Sequence, residues 1–177
     1  MLRSLSLVLF SLLLTACTTH LNPKVEQKRS SKLYQMIRQQ LPHSDPSEAK
    51  LIANESILYS VTLSEKYEVT TPPLVHNFLV NVGAKDRGLC YQWSDDLYKH
   101  LKQYRIKSMT LKPVGAYVGS YWREHNALAL LPKGSQNLSR GVLLDPWRKS
   151  GRLYFVPINN DPEYHWQIRD DRCEVYN

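Results

Sequence analysis

Gly88-Leu89-Cys90-Tyr91-Gln92-Trp93-Ser94-Asp95-Asp96-Leu97-Tyr98-Lys99-His100-Leu101-Lys102-Gln103-Tyr104 is the stretch on which the fold turns. Trp93, Leu97, Leu101 and Tyr104 recur at helical spacing and form one apolar face. The spacing predicts a helix from Cys90 to about Gln103, opened by Gly88. Upstream the chain reads as helical at roughly 30–41, 46–68 and 73–83. Asp45-Pro46-Ser47-Glu48 caps the middle segment, Pro72-Pro73 separates it from the next, and Gly83 stops that one. Downstream the texture changes. Residues 106–121 are rich in strand formers, 127–131 is an apolar run, 132–137 a loop, 141–144 a second apolar run, 148–151 a turn and 152–156 a third strand. Helices first and strands after predict an α+β domain, a helical layer packed on an antiparallel sheet.

Three side chains along this stretch carry chemistry. Cys90 opens the helix, His125 precedes the apolar run Ala127 to Leu131, and Asp145 ends the next strand in Leu144-Asp145-Pro146-Trp147. A thiolate attacks a carbonyl carbon, an imidazole moves the proton, and a carboxylate fixes the imidazole tautomer. A helix N-terminus favours thiolate over thiol and offers N–H groups to an oxyanion. Alternation along the strand points His125 with Ala127 and Ala129, and Asn126 with Leu128 and Leu130. Asn126 is therefore a poor third member. A hairpin across 132–140 brings Asp145 to His125, where it accepts the Nδ1 hydrogen bond. Each residue also has a plainer reading: Cys90 as a small core residue or half of a disulfide with Cys173, His125 as a satisfied polar residue, and Asp145 as a turn initiator. Trp93 and Trp147 are candidates for a substrate groove, against the commoner role of Trp in a core.

The three phrases, in this order, resemble the transglutaminase-like branch of the papain-like cysteine enzymes: a Cys starting a helix, a His starting a strand, an Asp ending the next strand and followed by Pro. The resemblance spans roughly residues 74–156. It implies a papain-like core in a single domain over 30–177, with Cys90, His125 and Asp145 as the catalytic residues and no cofactor. Two features depart from the family pattern. Ala127 and Leu128 stand where an aromatic often follows the His, and no Gly-Ile-Pro-type phrase follows the helix near Ile106. Substrate choice is where these differences bear, and the family includes cross-linking enzymes, peptidases, amidases and inactive binding modules.

The N-terminus sets the compartment. Arg3 precedes a short apolar run from Leu5 to Leu14, too short for a bilayer span of about 20 residues. Leu14-Thr15-Ala16-Cys17 resembles the bacterial lipobox, which implies a signal peptide over 1–16, lipidation of Cys17, and a tether over 17–29. Thr18, in place of Asp, implies the outer membrane, facing the periplasm. The chain carries a formal net charge of +7. Lys24, Lys28, Arg29, Lys32 and Arg38 against Glu26 alone place part of that charge beside the anchor, where anionic head groups attract it. The basic balance thus points to a membrane surface and not to nucleic acid, for which no motif is present. Neither zinc-ligand spacing nor a Gly-rich phosphate loop occurs, so no metal is expected.

Two classes of function follow. One is a membrane-anchored thiol hydrolase or acyltransferase acting on peptide or isopeptide amides, its substrate a peptide or envelope protein. The other is a non-catalytic envelope lipoprotein using the same fold for binding or assembly.

Overall fold

The computed structural model describes residues 22–120, 122–169 and 171. Four helices precede the sheet: α1 (Pro23–Gln40), α2 (Pro46–Lys66), α3 (Pro73–Asn81) and α4 (Cys90–Lys102). The strands are β1 (Met109–Ala116), β2 (His125–Pro132), β3 (Val142–Asp145), β4 (Tyr154–Pro157) and β5 (Gln167–Ile168). They form one antiparallel sheet in the order β4-β3-β2-β1-β5. The α+β layering expected from the sequence is present.

The helices start where caps are available. Asp45 accepts hydrogen bonds from the N–H groups of Ser47 and Glu48, with Pro46 in the first turn. Glu48 turns back to the start of β1, accepting from the N–H groups of Lys107 and Ser108 at 2.8 Å each. The first helix begins earlier than the periodicity indicated. Residues 23–29, read as tether, are helical, because Asn22 caps Lys24 N–H and Pro23 occupies the first turn. Arg29 pairs with Glu26, donates to the Leu153 carbonyl and lies over the Phe155 ring, which fastens this helix to β4. Arg38 donates to the Ser44 carbonyl and hydroxyl. Two of the five cations assigned to the membrane side thus serve packing. Cys17 and residues 18–21 lie outside the described residues, as does Cys173. Among the described residues no helix is long and apolar enough to cross a membrane.

The sheet has two covered faces. Leu128, Leu130, Val142 and Leu144 pack with Met109 against Leu33, Ile37, Ile52, Ile57, Trp93, Leu97 and Leu101 of the helical layer. Each fully buried Leu or Ile there contributes about 1.5–3 kcal/mol of transfer free energy. On the opposite face Val114, Ala127, Ala129, Leu131 and Leu143 meet Ile158, with Trp166 and Ile168 packed over them. β5 and the segment 158–168 were not legible in the sequence pattern. Two paired residues are too short a run for alternation to register, and their position comes from packing on Val114 and Gly115.

The chain path gives the domain two distinct ends. His125 starts β2 opposite Ala116, the last residue of β1, and Asp145 ends β3 opposite Tyr154, the first of β4. At this end lie the start of α4, the end of α2, where the Ser64 hydroxyl donates to the Ser150 carbonyl, and the first half of α1, through Arg29. The opposite end holds Asp45 and Glu48 against Ser108.

Candidate active site

Cys90 is carried on a braced helix start. Gln92 Oε1 accepts from the N–H groups of Gly88 and Leu89 at 2.8 and 3.0 Å, and Trp93 Nε1 donates to the Gly88 carbonyl at 2.9 Å. Gly88 has φ of +130°, and a Cβ there would sit 2.3 Å from His76 Nε2, so only glycine fits without displacement. Tyr67 donates to Asp96 at 2.8 Å and Arg87 pairs with the same carboxylate, holding the next turn of α4. Trp93 is a core residue, 1% exposed and edge-on to Tyr67, and so does not line a groove as expected. Its position on the apolar stripe with Leu97 and Leu101 is the reason.

Cys90 is a half-buried free thiol. Its sulfur lies 3.7 Å from the Glu124 carbonyl oxygen and 4.0 Å from Asn126 Nδ2. His125 is 2% exposed and donates from Nε2 to Asp145 Oδ2 at 2.7 Å. The bond thus runs through Nε2 and not Nδ1 as the sequence reading had it, because the ring reaches Asp145 with its far edge. The other ring nitrogen, Nδ1, is buried without a hydrogen-bond partner. Cys90 and His125 line one pocket of about 220 Å³ with Asn77, Trp147 and Tyr164. Burial works against the imidazolium, but the Asp145 charge and hydrogen bond, and then the neighbouring Cys90, outweigh it and push His125 up to about 9.

Asp145 is fully buried and fully satisfied. Oδ1 accepts from the N–H groups of Trp147 and Arg148 at 3.2 and 3.1 Å, and Oδ2 from His125 and from Arg148 Nε at 3.0 Å. Burial pushes its carboxyl up, but the His125 and Arg148 charges hold it below the usual carboxylate range. Arg148 in turn grips Asp161 with both terminal nitrogens, at 2.9 and 2.8 Å, and Trp166 Nε1 donates to the same carboxylate at 2.9 Å. This chain of charges fixes the C-terminal segment that places Tyr164 and Trp166, with Trp147, around the imidazole at ring-centroid distances of 4.8, 5.4 and 4.7 Å.

The structure therefore joins His125 to Asp145 directly and places Cys90 on the same pocket as His125, with the thiol turned to the Glu124 carbonyl and Asn126 and no hydrogen bond on Nδ1. Trp147 borders the pocket, its indole N–H donating to Asn77 at 3.0 Å. Arg148, Asp161, Tyr164 and Asn126 were not singled out from the sequence as part of the site. Arg148 read only as part of the turn 148–151, and the segment holding Asp161 carried no periodic signal. An adjoining cleft of about 470 Å³ also opens at Cys90, lined by Asn126 and Leu89, by Leu74 and Phe78 of α3, and by Trp122. Comparison with protein-family models, with curated proteins and with solved structures finds no match to this chain.

Proposed function

We propose that this protein is a thiol-nucleophile hydrolase or acyltransferase of the cell envelope, acting on peptide or isopeptide amide bonds through Cys90, His125 and Asp145 on a papain-like, transglutaminase-like core. We propose also that it is lipid-anchored through Cys17, on the outer membrane and facing the periplasm. The observation that carries the enzymatic reading is the buried His125–Asp145 pair at 2.7 Å whose remaining ring nitrogen is unpartnered beside a free thiol at a helix start.

Chemistry follows from that arrangement. His125 Nδ1 takes the thiol proton, and the thiolate attacks the carbonyl carbon. A C–S bond forms while the carbonyl π electrons move onto oxygen. The Cys90 N–H, unused within α4 as the first of its helix, is one donor for that oxyanion. Asn126 Nδ2 is the second. Its amide is oriented by Glu124 Oε1, a carboxylate oxygen that can only accept, at 3.4 Å. Four ångströms from sulfur leaves room for an oxyanion at about 2.7–3.1 Å from this donor. Collapse restores the carbonyl, breaks the C–N bond, and the amine leaves with the proton from His125. Water or an amine then attacks the thioester carbon, His125 accepting its proton; the C–S bond breaks as the tetrahedral adduct collapses, the Cys90 sulfur regains the proton from His125, and hydrolysis or transfer results according to the acceptor. Asp145 stabilises the imidazolium throughout.

Intact-protein mass after brief exposure to p-nitrophenyl acetate tests the reading. One acetyl group on Cys90, absent in Cys90→Ala and slow to form in His125→Ala, is the expected result. Absence of Cys90 acylation in the wild type favours the binding-module alternative.

A further inference from the structure

The exposed apolar side chains of this domain are not scattered. Among the described residues, every exposed large hydrophobic except Leu58, midway along α2, lies in the first half of α1, on α3 or at its C-cap Val82, at the start of α4, or at Tyr117, Val118 and Trp122. Those elements occupy the end of the domain that holds Cys90. Trp122 is 86% exposed, Leu74 74% and Phe78 62%, and these three stand over the Cys90 cleft. α3 is apolar along most of its length and yet buries only His76. A contiguous apolar rim of this kind marks an interaction surface.

The chain path says what faces it. α1 starts at this same end, since Arg29 is bound to Leu153, next to the strand residue opposite Asp145. Asn22 lies two turns further out, roughly 10 Å beyond Arg29 along the helix axis. Four residues, Thr18 to Leu21, separate Asn22 from Cys17. Fully extended they reach at most about 18 Å. An anchor on Cys17 thus keeps this end of the domain close to the lipid. Lys24 and Lys28 are exposed on the first turns of α1, where they meet anionic head groups.

We infer that the apolar rim around Cys90, formed by α3 and the segment around Trp122, seats in the bilayer interface, so that the cleft opens onto the membrane surface and takes its amide substrate from a membrane-bound molecule. The inference rests on the lipid anchor proposed above. Two attachments, one lipid and one apolar protein patch, give the stable docking that a single acyl chain does not.

The test uses the full lipidated chain reconstituted in vesicles of phosphatidylethanolamine and phosphatidylglycerol, with bromine-labelled acyl chains as quenchers of tryptophan fluorescence. Quenching that falls by at least half in Trp122→Phe is expected. Val75→Asp/Val82→Asp, which alters the rim outside the cleft lining, should also lower the quenching while iodoacetamide still labels Cys90 at the wild-type rate. Quenching unchanged by Trp122→Phe, or a rim covered instead by a second copy in a vesicle-bound dimer, would overturn the inference. The mass of the N-terminal peptide reads the anchor separately. An unlipidated Cys17 together with Trp122-dependent quenching would sink the anchor and leave the rim assignment standing.

Discussion

Raising the pH from neutrality takes a proton from an imidazole that the folded chain holds and the unfolded chain releases early. His125 titrates at about 9 in the fold against 6.5 for the free side chain, because the Asp145 carboxylate 2.7 Å away, and then Cys90, outweigh burial. The folded pKa is the raised one, so the contribution is fully present below pH 6.5 and lost as pH climbs through 9. Between those values the native state binds the extra proton, and unfolding free energy falls by about 1.4 kcal/mol per pH unit, some 3 kcal/mol in all. Urea unfolding at a series of pH values measures it directly. Wild type should lose that amount across the window, and His125→Gln should lose almost none. Cys90→Ala should keep most of the slope, since Asp145 is the stronger of the two partners. A flat wild-type profile, or the same slope in His125→Gln, would refute the electrostatic account of the pair.

Replacing Arg148 with Met leaves the Asp145 and Asp161 carboxylates without their shared cation and should cost about 3–5 kcal/mol in urea unfolding. Lys at this position should not restore it, because the grip on Asp161 uses two nitrogens of a planar fork. Gly88→Ala forces a Cβ to 2.3 Å from His76 Nε2 at a φ of +130° and should destabilise by about 1–3 kcal/mol, part of which returns when His76→Ala is added. Asn126→Ala should slow acylation by p-nitrophenyl acetate by roughly 10²–10³-fold, the measured range for an oxyanion donor, while alkylation by iodoacetamide, which forms no oxyanion, stays near wild type.

Much of the architecture was legible because its signals are local. The Trp93-Leu97-Leu101 stripe, the Asp45-Pro46 cap and the apolar run after His125 each determine an element within one window. The alternation that set Ala127 and Ala129 on one face and Leu128 and Leu130 on the other holds in the sheet. What escaped depends on distant partners. Asn22-Pro23 is a helix start whose first turns are polar, so hydrophobic periodicity does not register them until Leu33. Trp93 has the same helical spacing whether it faces a groove or a core, and packing against Tyr67 decides. Neither β5 nor the Arg148–Asp161 link has a sequence period, and both are fixed only when the C-terminal segment crosses the sheet.

The central claim is that Cys90 and His125 act as one nucleophile. Second-order alkylation of Cys90 by iodoacetamide, followed from pH 5 to 10 in the wild type and in His125→Ala, tests it most directly. A wild-type rate already high near pH 6.5, falling by about tenfold or more in His125→Ala, is the outcome the account predicts. A rate that rises only near the ordinary thiol value of about 8.5 and is indifferent to His125 would contradict it, as would a native mass showing Cys90 already joined to Cys173.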